Sequence, residues 1–119
     1  MDRSGDAYVD GLRAQHRSQP LAFFDRLLQE IWRDRSAEEA AREWARLCRD
    51  ARWYAEDALW CIAYVLADPP RDLVERMQEH GWIKLDHGPR SDTPMKQYLD
   101  WLAGAAAAFG QLYAAQDQA

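Results

Sequence analysis

Read for chemistry, the chain of 119 residues offers two constellations. The first pairs histidine with carboxylate: His80, Asp86 and His87 lie close together and Asp92 follows. Zinc takes three or four ligands, carried at spacings such as His-x-x-x-His or by paired cysteines, and neither spacing occurs. His80 also precedes Gly81 at the end of a helical pattern, where a cationic side chain suits the helix dipole. The acid pairs Glu38-Glu39 and Glu56-Asp57 read as solvated helix faces. Cys48 and Cys61 fall in apolar stripes, where a thiol behaves as a small inert hydrophobe. There is no phosphate loop, nucleophile elbow or dinucleotide fingerprint. No catalytic residue, cofactor or metal is expected.

The second constellation is aromatic. At 100° per residue, Trp53, Trp60 and Tyr64 align nearly opposite Trp44, Ala55 and Ile62, and Asp57, Arg46 and Arg49 share their side. Large aromatic side chains with charges between them have the composition of an interface hot spot. These six residues are the candidate partner-binding set. The same pattern arises if the first or last helix covers this side, which makes the helix a core element on two faces.

The element the chain is organised around, which carries Trp53, Asp57, Trp60 and Tyr64, is Ala51–Pro70. Ala58 to Ala67 is ten residues without a charge, too short for a bilayer, which needs about 20, and apolar all round as in a helix covered on several sides. Ser36-Ala37-Glu38-Glu39 is a capping-box sequence. From there Ala37, Ala40, Ala41, Trp44, Leu47, Cys48, Ala51, Ala55, Ala58, Leu59, Ile62, Val65 and Leu66 keep one face at steps of three and four, with neither Gly nor Pro before Pro69. The phase favours one long helix. A break near Asp50 is the alternative, because about thirty residues exceeds the usual helix length. On one continuous helix the two cysteines lie about 20 Å apart, too far for a disulfide.

The remaining elements follow from local signals. Residues 4–17 are either a weakly specified helix or a frayed arm, with Tyr8, Val9, Leu12 and His16 on one face. Pro20 opens a secure amphipathic helix through Leu21, Phe24, Leu28 and Ile31. Asp68 and Pro69 are expected to start a short helix carrying Leu73, Val74 and Met77, closed by Gly81 as its left-handed cap. Trp82 to Leu85 is extended at most, and Asp86 to Thr93 is a polar loop. Thr93 and Pro94 restart a helix aligning Met95, Tyr98, Leu102, Ala106, Phe109 and Tyr113. Gly104 and Ala105–Ala108 leave one side of it bare for close approach of a neighbouring helix. The expectation is a single all-α domain over 1–119, a bundle of about five helices around a central apolar helix, with 1–18 as its least ordered part.

Composition narrows the function class. Hydrophobic content of 48% with six Trp argues against disorder. A net charge of −5 argues against a nucleic-acid backbone binder. Only Lys84 and Lys96 of the fifteen basic residues are lysine, a bias toward planar multi-donor pairing with carboxylates. The N-terminus lacks the apolar run of a signal peptide, so a cytoplasmic protein with reduced thiols is expected.

Two resemblances bear on function. Leu73-Val74-Glu75-Arg76-Met77, followed by Gly81-Trp82-Ile83 and Asp92, resembles the recognition helix and wing of winged-helix regulators of the MarR type, which implies DNA binding. Against it, Pro94 starts a helix where a second wing strand belongs, and the recognition helix is acidic where phosphate contacts dominate affinity. The whole-chain profile, carried by Asp68-Pro69-Pro70, Gly81-Trp82-Ile83 and Tyr98-Leu99-Asp100-Trp101-Leu102, is similar to immunity proteins of bacterial contact-dependent and other polymorphic toxin systems. That resemblance implies a small acidic protein that binds and neutralises one cognate toxin domain, with a basic toxin as its complement. The expectation is a protein-binding module without chemistry of its own.

Overall fold

The computed structural model describes residues 4–85 and 93–117, all helix and connecting segments without a strand among them. The helices are α1 (Ser4–Ser18), α2 (Pro20–Leu27), α3 (Ala37–Asp50), α4 (Arg52–Ala67), α5 (Leu73–Gly81) and α6 (Pro94–Asp117). No helix of the described residues is long and apolar enough to cross a membrane. Six helices therefore stand where about five were expected.

The extra helix comes from a break in the long one. Ala51 leaves the helical region at φ −145° and ψ 66° and divides α3 from α4. Neither glycine nor proline marks the position, so the cause is tertiary. A single helix of about thirty residues would run about 45 Å in a straight line and outrun the core. Bent at Ala51, both halves lie against α6. Trp44 of α3 stacks on Phe109 with ring centroids 4.6 Å apart and donates Nε1–H to the Phe109 carbonyl at 2.9 Å. From α4, the Arg52 guanidinium lies 3.8 Å over the Tyr113 ring.

The start of α3 follows its sequence signal. Ser36 Oγ accepts from the Glu39 amide, and the Glu39 carboxylate accepts from the Ser36 amide at 3.0 Å. Of the face of α3 and α4 read as core, Ala40, Trp44, Cys48, Ala55, Ala58, Ile62 and Val65 are buried, Ala41, Leu47, Ala51, Leu59 and Leu66 are half-buried, and Ala37, in the first turn of α3, is exposed. α2 ends in a π turn, Leu28–Trp32, closed by the Arg33 amide on the Leu28 carbonyl at 3.0 Å. The wider turn places Leu28, Ile31 and Trp32 all in the core.

α5 departs from expectation at both ends. It begins at Leu73 after Asp72, not at Pro69. At its C-terminus Gly81 is still helical, and the left-handed residue is Trp82 at φ 54°. Packing explains the exchange: a Cβ on Gly81 would lie 3.0 Å from Ile83 Cδ1 and 3.3 Å from Leu28 Cδ2. The glycine is required for close approach to the π turn, and the left-handed conformation falls to the next residue.

Candidate functional site

The six residues singled out in the sequence do not form one surface. Asp57 is fully buried. α1 lies across it, bringing Arg13 Nε to 3.0 Å, His16 Nδ1 to 2.9 Å and Arg17 Nη2 to 3.6 Å from its carboxylate. Trp53 and Trp60 are half-buried beneath the same helix, with the Arg17 guanidinium 4.2 Å over the Trp60 ring. Tyr64 is exposed and tilts against Trp60. Arg46 and Arg49 belong to α3, across the break at Ala51, and both are exposed. Arg46 pairs with Glu43 and Asp50 of its own helix. Placing Asp57 on an open acidic face is thus corrected. An isolated buried carboxylate is expensive in an apolar interior, and the cations of α1 are what make this one tolerable.

Asp57 and His16 have the atoms of an acid–base pair. The His16 ring is sandwiched, stacked on Phe23 at 3.7 Å with Tyr54 at its edge. The space beside it, lined by Gln15, Gln19, Ala22, Phe23 and Arg26, is about 20 Å³. That holds a water and not a substrate.

The thiols are in apolar settings. Burial pushes Cys48 up, and burial, with Asp25 and Asp57 nearby, pushes Cys61 up to about 12. Both are free and buried. Of the histidine constellation, Asp86, His87 and Asp92 lie outside the described residues. His80 faces Asp25 through Nε2 at 3.6 Å and Gln29 through Nδ1 at 2.8 Å. No cluster able to hold a metal occurs among the described residues.

The site with room for a ligand is one the sequence did not single out. Between α3, α6 and the segment 82–85 lies an open groove of about 680 Å³, within the range of natural binding clefts. Trp32, Trp82, Trp101 and Phe109 are its aromatic residues. Ala37, Ala40 and Ala41 come from α3, and Gly104, Ala105 and Ala108 from α6. Here the bare side of α6 finds its place. No helix packs on it at Gly104, where a Cβ would meet nothing within 4 Å.

Trp32, Trp101 and Phe109 join a continuous stack, Trp44 on Phe109 on Trp32, with Trp101 edge-on to Trp32 at 5.5 Å. The rim carries Arg35, Lys84 and Asp100.

One wall is held with unusual care. The Tyr98 hydroxyl, fully buried, donates to the Ile83 carbonyl at 2.9 Å and accepts from the Leu85 amide at 3.2 Å. The Trp82 and Ile83 amides both return to the Met77 carbonyl. So fixed, Trp82 stands 51% exposed. The Arg33 guanidinium lies 4.4 Å over its ring, and the next residue, Asp34, is also left-handed at φ 62°. A bulky L-residue in that region costs roughly 1–2 kcal/mol. Such strain concentrates at ligand clamps and switch regions.

Comparison with protein-family models, with curated proteins and with solved structures finds no match to this chain. The class defined by fold and site is therefore a geometric one, an all-helical domain with a preformed apolar groove.

Proposed function

We propose that this chain is a protein-binding module that captures an apolar segment of a partner in the groove between α3 and α6, with Trp82 as the anchor. The observation carrying the proposal is Trp82 itself, a large side chain held half out of the protein on a strained backbone, beside an open groove floored by aromatic rings. Exposed aromatic residues on a rigid frame supply most of the energy of protein interfaces. Arg33, Arg35 and Lys84 near the mouth suit an apolar segment with an acidic or polar flank. The reading assigns the chain binding and no reaction, with a cytoplasmic setting that keeps Cys48 and Cys61 as thiols.

The similarity to toxin-neutralising immunity proteins supplies the partner class, a bacterial toxin domain blocked in a stoichiometric complex. The winged-helix reading gains no support from the fold, since α6 stands where a second wing strand belongs and no strand occurs among the described residues. Co-expression with a toxin domain, sought first in the reading frames beside the gene, tests the proposal. Growth restored by the parent chain and not by Trp82→Ala, at equal abundance of the two, is the expected result. A toxin domain that neither binds nor is neutralised by the parent chain would remove the immunity reading.

A further inference from the structure

The face of α4 beneath α1 has the chemistry of a second recognition surface. Among the described side chains of α1, His16 alone is buried, Tyr8 is 69% exposed, and Val9 and Leu12 take no part in the apolar core. Besides the half-buried Val9 and Leu12, one polar face attaches the helix: Arg13, His16 and Arg17 occupy i, i+3 and i+4 and converge on Asp57. Around that carboxylate, Phe23, Trp53, Tyr54 and Trp60 receive the His16 ring and the Arg17 guanidinium.

The two sides of this contact differ in their need for each other. The Arg13 and Arg17 side chains are already 33% and 46% exposed and can turn into water, whereas Asp57 has no exposure at all. When α1 lifts, a carboxylate and a set of aromatic rings are uncovered together, a composition suited to a cationic partner. A single residue, Gln19, joins α1 to α2 and is where the chain leaves the helical conformation between them, at φ −132° and ψ 65°.

We propose that this face is a docking surface for a basic helix of a partner protein, and that α1 is its resident occupant, displaced by a helix presenting Arg or His at i, i+3 and i+4. The observation is independent of the groove. The net charge of −5 favours encounter with such a partner.

A labelled peptide of residues 4–19 of this chain is the probe, titrated against full-length protein. The resident helix competes with it, so a chain with Arg13→Ala and Arg17→Ala is expected to bind the peptide about tenfold more tightly than the parent, a difference of about 1.4 kcal/mol. The same changes made in the peptide should abolish its binding, and raising salt from about 50 to 500 mM should weaken it. Such a peptide is only marginally helical alone, so the ratio between the two proteins is the readout. Equal affinity for both, or binding that survives loss of the peptide's arginines, overturns the proposal. If the double variant melts below the working temperature, the parent carries the test: excess peptide should speed hydrogen exchange in residues 4–18, and unchanged exchange overturns the proposal. Concentration-dependent self-association of the parent through exchanged α1 would put a second copy in place of the partner helix and overturn it too.

Discussion

Asp57→Asn separates a covered carboxylate from an exposed one. In the parent, Arg13 Nε at 3.0 Å and His16 Nδ1 at 2.9 Å bond the two carboxylate oxygens, and Arg17 stands at 3.6 Å. A hydrogen bond to a charged group contributes about 1.5–3 kcal/mol, so the two bonds together bound the loss at about 3–6 kcal/mol. The variant keeps one acceptor oxygen, and the arginines, partly exposed, recover hydration when their partner loses its charge. His16, 4% exposed, cannot. The expected loss is then about 2–3 kcal/mol, below the 3–5 kcal/mol typical when one member of a fully buried pair is removed. With a urea m-value of about 1–3 kcal/mol/M for a small domain, the midpoint should fall by about 1–2 M. Hydrogen exchange should quicken first in α1, whose other attachments are few. An unfolding free energy within about 0.5 kcal/mol of the parent, the range of ordinary surface changes, would refute the placing of Asp57 beneath α1.

Ile62, fully buried in mid-helix, gives a second test: Ile62→Ala should cost about 2–5 kcal/mol in the same melts, and a parent-like variant would mean that α4 presents another face to the core. Ser36→Ala should cost about 1 kcal/mol through loss of the α3 cap, measured by thermal unfolding. The Ser36 amide, and then its hydroxyl, hold the Glu39 carboxyl below its ordinary range. The folded value is the lower one, so this contribution is fully present above the ordinary Glu value and lost as pH falls through the lowered one. Melts of Glu39→Gln against the parent should therefore converge in acid. Cys48 and Cys61 should resist a thiol reagent at pH 8 in the native protein and react only on unfolding, since both are buried with raised thiol values. Rapid native labelling of Cys61 would contradict the packing of α4 on α2, where its Sγ–H donates to the Pro20 carbonyl at 3.2 Å, and that of Cys48 would contradict the burial of the core face of α3.

The parts of the fold legible in the sequence are those fixed by near neighbours. Ser36 and Glu39 announce the start of α3 because a capping box is completed within four residues. The apolar face through Trp44, Ala55, Ile62 and Val65 was legible because period alone identifies it. The break at Ala51 stood in the sequence only as the alternative near Asp50, since the unbroken phase favours one helix and the contacts of the two halves with Phe109 and Tyr113 lie about sixty residues away. Gly81 was read as a left-handed cap from its type alone. Its helical conformation depends on Leu28, which a local signal cannot include. The aromatic set on α4 was found, and so was the possibility that the first helix covers it. That Arg13, His16 and Arg17 meet Asp57 needed the tertiary structure, although their i, i+3, i+4 spacing was a signal available in the sequence. The groove escaped because its residues come from three separated segments. Trp82 entered the sequence reading through a short extended stretch and the Gly81-Trp82-Ile83 segment of the two resemblances, neither of which signals its exposure.

The central claim is that Trp82 is held out for a partner, and Trp82→Gly tests it most directly. Glycine adopts the left-handed conformation without the steric cost borne by a bulky residue. The Arg33 stacking lost with the ring is worth about 0.5–1 kcal/mol, and the added unfolded-state freedom is of similar size. Stability should therefore stay within about 1 kcal/mol of the parent. Calorimetric titration with a toxin domain that the parent chain binds should at the same time lose about 2 kcal/mol or more, roughly 30-fold in Kd. An unchanged melt with a lost titration is the result predicted. An unchanged Kd, or a variant that unfolds, would contradict the assignment of Trp82 as the anchor of a binding groove.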